Sequence, residues 1–195
     1  TTLLPDGRVL AIGGSSAAGF DEPAGAVLDA EMWDPATETW TEMAGESHYR
    51  GYHSTALLLP DGRVLVGGGG HPDSTVGAQL NFEIYSPPYL FRGPRPRVDA
   101  APSQVAYGRA FTVATPDAAS IAAVTLLRLG SVTHAFNVGQ RINNLAFSQS
   151  AAGLQIVPPA NPNLAPPGDY MLFLLDGNGV PSVGRVVRIG PAPPA

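Results

Sequence analysis

The 195-residue chain contains no cysteine, so it has no disulfide, no thiolate metal ligand and no cysteine nucleophile. Charged residues make up only 14% of the chain, and the formal net charge is −5. Binding to a phosphate backbone needs a basic stripe, and none is present, so nucleic acid is excluded as an expected partner. No apolar run reaches the length of a membrane-spanning helix, and we expect no membrane span.

Glycine and proline are abundant, with 23 and 20 residues. Without a collagen-like period, this composition is typical of many tight turns that join short strands. Scattered prolines leave few uninterrupted windows for long helices, because each proline removes a backbone donor. The composition therefore predicts an all-β fold.

An internal repeat organises the first part of the chain. The segment LLPDGRVL of residues 3–10 recurs at residues 58–65, a spacing of 55 residues. In each copy Asp-Gly supplies the positive φ of a tight hairpin turn, and the second strand runs into a glycine pair or the run Gly67 to Gly70. A period of this length is typical of kelch propeller blades.

Two blades cannot close a propeller, which needs at least four. We therefore predict that residues 1–93 are the final blades of a kelch-type β-propeller, and that the missing N-terminal blades are partners of this chain. From residue 94 the pattern changes to short apolar runs separated by turns, which indicates an Ig-like antiparallel β-sandwich over residues 94–195. The strands predicted there are residues 110–113, 124–127, 144–147, 154–157, 170–175 and 184–189.

Histidine is the main candidate metal ligand, because imidazole binds copper, iron and zinc. Tyr52 and His53 are consecutive at the start of a predicted strand, where ideal geometry points them to opposite faces. They can reach one metal only at an irregular turn, which Gly51 favours. His134 lies in a loop or strand edge of the predicted sandwich. On spacing alone, structural histidines are favoured over ligands.

Several segments, in order along the chain, carry a resemblance to a known family. They are RGYHS at residues 50–54, FEIYSPPYL at 82–90, Thr133-His134 with Asn137 and Gln140-Arg141, PPGDYMLF at 166–173, and GVPS at 179–182. With these segments the chain resembles the C-terminal part of the galactose oxidase and glyoxal oxidase family of copper-radical oxidases. The resemblance implies final kelch blades followed by an early-set, Ig-like β-sandwich.

The resemblance also implies copper as the cofactor. By that resemblance His53 and His134 are equatorial copper ligands, Tyr52 is an axial ligand and the general base, and Phe20 lines the substrate pocket. Neutral imidazoles suit Cu(II), and a phenolate can take the proton of a bound alcohol. The implied reaction oxidises an aldehyde, a primary alcohol or a sugar with O2 and forms H2O2. Relatives of this kind imply a secreted or cell-surface location.

The family also uses a cross-linked Tyr-Cys radical cofactor, which this cysteine-free chain cannot form. We expect the cofactor in earlier blades of the parent protein, so that these residues alone are an inactive fragment. The alternative is a non-catalytic kelch and Ig-like module that binds carbohydrate or protein. Of the remaining residues, Asp21 and Glu22 are expected to face water, and His48, Tyr49 and His71 match no family motif and are expected to be loop residues.

Overall fold

The computed structural model describes residues 1–19, 21–71 and 76–190, and its regular structure is almost entirely strand. The strands of the first part of the chain are β1 (Thr2–Leu3), β2 (Val9–Ala11), β3 (Ala30–Asp34), β4 (Thr39–Met43), β5 (Ser54–Leu58), β6 (Val64–Gly68) and β7 (Phe82–Tyr85). Those that follow are β8 (Gln104–Val105), β9 (Phe111–Val113), β10 (Ile121–Arg128), β11 (Ser131–Thr133), β12 (Phe136–Val138), β13 (Ile142–Asn144), β14 (Phe147–Ser150), β15 (Gly153–Ile156), β16 (Gly168–Asp176) and β17 (Arg185–Ile189). The all-β prediction is confirmed.

The described helices are short 3₁₀ turns at Pro23–Gly25, Pro88–Phe91 and Ala118–Ser120. Within the part of the chain that the structure describes, no helix has the length and apolar character needed to span a membrane.

The chain divides into two compact units. The first unit comprises Thr1–Leu59, Arg63–Pro87 and Gly130–Gln140, and the second comprises Pro60–Gly62, Pro88–Leu129 and the chain from Arg141 onward. The β11–β12 hairpin therefore groups with the first unit, although it lies far beyond residue 93 in the sequence.

In the first unit, strands β1 to β4 form one antiparallel sheet in sequence order, and β5 to β7 form another. Both repeat copies fold alike: the N–H of Leu4 donates to the carbonyl of Arg8 at 2.8 Å, and that of Leu59 donates to the carbonyl of Arg63 at 2.8 Å. The turn glycines have φ of 85° and 80°, a region that side chains disfavour. The Asp-Gly hairpin prediction is confirmed in both copies.

The second unit is a β-sandwich. Its larger sheet has the strand order β13-β10-β16-β17-β8, and its smaller sheet has the order β14-β15-β9. Apolar side chains from both sheets fill one core, as expected for two sheets packed face to face. That core includes Val105, Val113, Val124, Leu126, Leu154, Ile156, Tyr170, Leu172, Leu174, Val187 and Ile189.

One predicted strand of the sandwich is wrong. Residues 144–147 were expected to be a single strand, but β13 ends at Asn144 and β14 begins at Phe147. Strand β13 pairs with β10 in the larger sheet, whereas β14 pairs with β15 in the smaller one. The chain changes sheets at this point, which requires a bend in the middle of the apolar run.

A buried arginine organises the segment that leads into β5. Arg50 is 1% exposed, and its Nη1 donates to the carbonyls of Gly68 at 3.1 Å and Asn81 at 3.3 Å. Its Nη2 donates to the carboxylate of Glu83 at 3.0 Å, and its Nε lies 4.0 Å from the carboxylate of Glu46. Because a buried guanidinium needs such partners, Arg50 ties its own segment to β6 and β7.

Burial of the Glu46 carboxyl group is the main energetic cost in this cluster. Burial raises the pKa of Glu46 to about 7, against the opposing attraction of Arg50. Neither carboxyl oxygen has a hydrogen-bond partner among the described residues. The folded protein therefore holds a proton here more tightly than the unfolded chain does.

Because the pKa of Glu46 is raised in the folded protein, we expect the free energy of unfolding to depend on pH. A raised folded-state pKa contributes stability at low pH that is lost as the pH rises through about 7. Relative to the variant Glu46→Gln, the free energy of unfolding should fall by roughly 1 to 3 kcal/mol between pH 5 and pH 8. Denaturant unfolding of both proteins at each pH measures this difference, and a pH-independent difference would contradict the prediction.

Candidate metal site

A tight turn presents Tyr52 and His53. The N–H of Ser54 donates to the carbonyl of Gly51 at 3.1 Å, and His53 adopts the left-handed region with φ of 65°. Consecutive side chains of a strand point to opposite faces, but this backbone turns both rings to one side. The ring centroids of Tyr52 and His53 are 3.9 Å apart, with the planes 32° from parallel.

The left-handed residue is His53 and not the glycine before it. Gly51 is required here by space: a Cβ at this position would lie 2.1 Å from Tyr49 Oη and 2.4 Å from Asp21 Oδ1. Gly51 therefore favours this turn by its small size and not by a positive φ.

His134 lies at the tip of the β11–β12 hairpin. Thr133 pairs with Phe136, so the loop has two residues, His134 and Ala135, with φ of 51° and 65°. A two-residue turn with both φ values positive is type I′, for which Asn-Gly is the preferred sequence. The His-Ala sequence therefore carries a conformational cost at this tip.

Long-range hydrogen bonds hold this hairpin within the first unit. Asn137 Nδ2 donates to the carbonyl of Ala56 in β5 at 3.2 Å. Gln140 Oε1 accepts the N–H of Leu3 at 2.7 Å. These contacts join segments that are far apart in the sequence, which is why spacing alone could not place His134.

The two imidazoles and the phenol lie close together. The ring centroids of His53 and His134 are 5.0 Å apart, and those of Tyr52 and His134 are 6.0 Å apart. Both histidines are exposed, so neither is a core residue. Metal–nitrogen bonds of about 2 Å place the centroids of two imidazoles on one ion roughly 4.5 to 6.3 Å apart. The observed separation of the histidine rings fits a shared ion.

A neighbouring hydroxyl lies within hydrogen-bond distance of one ring nitrogen of His134. Thr133 Oγ1 and His134 Nδ1 are 2.7 Å apart. When Nδ1 carries the proton and donates it to this hydroxyl, Nε2 keeps its lone pair for a metal. The donor set is then two neutral imidazoles and a phenol oxygen, which suits Cu(II).

Backbone strain is concentrated at these residues. Among the described residues, four that are not glycine have positive φ, and three of them are His53, His134 and Ala135. Such conformations persist where surrounding contacts enforce them, and they cluster at functional sites. The described residues contain no group of three or more His, Asp or Glu side chains able to hold a metal ion.

His71 is a neighbour that the sequence argument did not assign. Its ring centroid lies 6.0 Å from that of Tyr52. The preceding Gly70 has φ of 105°, and its N–H donates to the carbonyl of Tyr52 at 2.7 Å. The end of the glycine run at residues 67–70 is therefore hydrogen-bonded to the tyrosine, with this imidazole directly after it.

An open cavity of about 380 Å³ borders the candidate ligands within the first unit. Tyr52 and His134 form part of its wall, together with Gly13, Gly14 and Gly51. Gly14 leaves open space, because a Cβ at that position would meet no atom within 4 Å. Phe20, the predicted substrate-binding residue, lies outside the described residues.

Comparisons with known proteins bear on both units. Residues 95–189 match the family model of the galactose oxidase-like early set domain. A galactose oxidase of Gibberella zeae is 32% identical over 196 residues, which cover 97% of this chain and 28% of that protein. The chain is homologous to the galactose and glyoxal oxidases.

Two further relatives agree with this assignment. An aldehyde oxidase of Arabidopsis thaliana is 35% identical over 215 residues, covering 97% of this chain and 35% of that protein. The solved structure of a fungal alcohol oxidase in complex with copper superposes with a TM-score of 0.88 at 28% identity. That match covers 97% of this chain and 41% of the other. The chain thus spans less than half the length of each of these relatives.

Proposed function

We propose that this chain is the C-terminal portion of a copper-dependent oxidase. The observation that carries the proposal is the 5.0 Å separation of the His53 and His134 rings, with the Tyr52 ring 3.9 Å from that of His53. In this proposal the imidazoles of His53 and His134 and the phenol oxygen of Tyr52 would hold the copper ion. Homology to galactose, aldehyde and alcohol oxidases supports this assignment of the metal.

Residues 1–93 are proposed to be the last blades of a kelch propeller. Strands β1 to β4 form the four-stranded antiparallel sheet expected of one blade, and β5 to β7 provide three strands of the next. On this proposal the edge of β7 pairs with a strand from outside this chain. Residues 94–195 are proposed to be the sandwich domain in the sequence, with the hairpin of His134 grouped with the first unit.

The substrate is proposed to be a primary alcohol or an aldehyde, including a carbohydrate, and the oxidant O2, with H2O2 as product. Bound copper would supply the redox chemistry of the site. Tyr52 would accept the proton of the substrate hydroxyl at its phenol oxygen, since a positioned base raises the rate of such a step. The cavity of about 380 Å³ beside Tyr52 offers space for that substrate.

The Tyr-Cys radical cofactor of the family would come from blades outside this chain, because the chain has no cysteine. We therefore propose that residues 1–195 bind copper but do not turn over alone. Location outside the cytoplasm is proposed from the family resemblance only.

The test compares the full-length protein with residues 1–195. Both are incubated with Cu(II), O2 and a panel of primary alcohols, aldehydes and sugars, and peroxide is measured. We expect steady-state peroxide formation from the full-length protein only, with copper binding by both. If the copper-loaded full-length protein forms no peroxide but binds a carbohydrate or protein ligand, the binding-module hypothesis replaces this one.

A further inference from the structure

Asp21 does not face water as its loop position suggested. Its Oδ1 accepts the phenol hydroxyl of Tyr49 at 3.0 Å and the backbone N–H of Tyr52 at 3.3 Å. Its Oδ2 is also buried, with no hydrogen-bond partner within the described part of the chain. Burying a polar oxygen without a partner has a cost, which the two hydrogen bonds to Oδ1 offset in part.

The loop that carries Asp21 is firmly held at its base. Ser15 Oγ donates to the carbonyl of Glu22 at 2.5 Å, and the Glu22 side chain accepts the N–H of Ala24 at 3.1 Å. The N–H of Ser16 donates to the carbonyl of Gly25 at 2.8 Å. These hydrogen bonds restrain the backbone that follows Asp21, whose carboxylate accepts the N–H of Tyr52.

Tyr49 strengthens the same contact. Burial, followed by the hydrogen bond to Asp21, raises the pKa of Tyr49 to about 12. The phenol keeps its proton at neutral pH and remains a donor to Asp21. The small residue between the two donors, Gly51, is needed because a Cβ there would meet both Tyr49 Oη and Asp21 Oδ1.

Tyr52 is held on both sides of its Cα. Asp21 accepts its N–H, and the N–H of Gly70 donates to its carbonyl at 2.7 Å. His53, the next residue, is in the strained left-handed region. Because the left-handed backbone of His53 is strained, hydrogen bonds to both peptide groups of Tyr52 help to keep the Tyr52 and His53 rings on the same side of the turn.

We propose that Asp21 is a positioning residue for Tyr52: its carboxylate accepts two hydrogen bonds from the turn of residues 49–53 and holds the Tyr52 phenol beside His53. The inference deepens the proposed function, on which its kinetic consequence rests. Asp21 acts through Tyr52 and need not touch the substrate.

The variants separate positioning from general stability. In the full-length protein, Asp21→Ala removes both acceptor contacts, whereas Asp21→Asn keeps the amide oxygen as an acceptor. Tyr49→Phe removes only the second donor. The matched control is Asp176→Ala in the second unit, where a carboxylate accepts the N–H groups of Asn178 at 2.9 Å and Val180 at 2.8 Å.

The first readout does not depend on activity. Fluorotyrosine is placed at position 52 alone, and its ¹⁹F resonance is recorded without copper. We expect Asp21→Ala to shift or broaden the resonance, Asp21→Asn to restore it largely, and Asp176→Ala to leave it unchanged. An unchanged resonance in Asp21→Ala, or an equal change in Asp176→Ala, would overturn the proposal.

The second readout is kinetic. In the copper-loaded protein, Asp21→Ala should lower kcat by about 10- to 100-fold, as is usual for residues that orient a metal site. The Cu(II) affinity should change much less, because both histidines remain. A kcat equal to that of the wild type would overturn the positioning role.

The two proposals fail differently. If the wild-type protein oxidises nothing, the proposed function fails, and the ¹⁹F measurement still decides the role of Asp21. If Asp21→Ala does not fold, Tyr49→Phe carries the test. It removes one of the two hydrogen bonds that hold Asp21 against the turn, so it should shift or broaden the Tyr52 resonance, and an unchanged resonance would overturn the proposal.

Discussion

Replacing His134 with asparagine in the full-length protein is expected to lower Cu(II) affinity by more than about 100-fold. This loss exceeds the one that follows removal of a residue that only hydrogen-bonds to a metal ligand. Asparagine tolerates the left-handed φ of 51° at this turn, so the hairpin should persist while the imidazole is lost. The affinity is measured by competition with a chelator, and the number of bound imidazole nitrogens by electron paramagnetic resonance.

A neighbouring variant provides the control for His134→Asn. Ala135→Gly relieves a φ of 65° and should raise the free energy of unfolding by about 1 kcal/mol, while leaving Cu(II) affinity unchanged. Wild-type affinity in His134→Asn would remove this residue from the proposed ligand set, and with it the copper assignment for this chain.

Replacing Tyr52 with phenylalanine is expected to lower kcat by about 10²- to 10⁴-fold, the usual contribution of a general base. The ring would still pack against His53 at a centroid distance of 3.9 Å, so the turn and the two histidine ligands should remain. The KM for substrate should change little, because the proton acceptor is lost but the cavity is retained. Steady-state kinetics and the copper spectrum of the same sample check both expectations.

The control for Tyr52→Phe is Tyr107→Phe in the second unit. That substitution also removes a phenol hydroxyl, which donates to the carbonyl of Ala165 at 2.7 Å. It should cost some stability and leave kcat unchanged. Equal activity in Tyr52→Phe and the wild type would show that another group accepts the proton, and His71 beside the ring would be the next residue to vary.

Local features of the fold were readable from the sequence. The repeated Pro-Asp-Gly-Arg turn predicted two hairpins, because the glycine φ and the closing hydrogen bond are set within a few residues. Most sandwich strands were also found, since each is a short apolar run between turn residues. The strand at residues 144–147 failed because the point at which a chain changes sheets depends on its neighbours in space.

The candidate site required long-range information. The resemblance named Tyr52, His53 and His134, but the sequence could not show how they meet. The left-handed backbone of His53 and the hydrogen bond from Asn137 to Ala56, which are 81 residues apart, bring their rings together. Asp21 was missed for the same reason, since nothing in the sequence near a surface loop indicates that its carboxylate reaches Tyr52.

The sequence by itself determined the all-β class and the repeat. It also contains no cysteine, so these residues cannot form a Tyr-Cys cofactor. Those properties follow from composition and from interactions between residues close in the chain. Only the tertiary structure decided that the hairpin with His134 groups with the first unit and that Asp21 is buried against Tyr52. Such contacts depend on hydrogen bonds between distant segments, whose partners are chosen by packing and not by spacing.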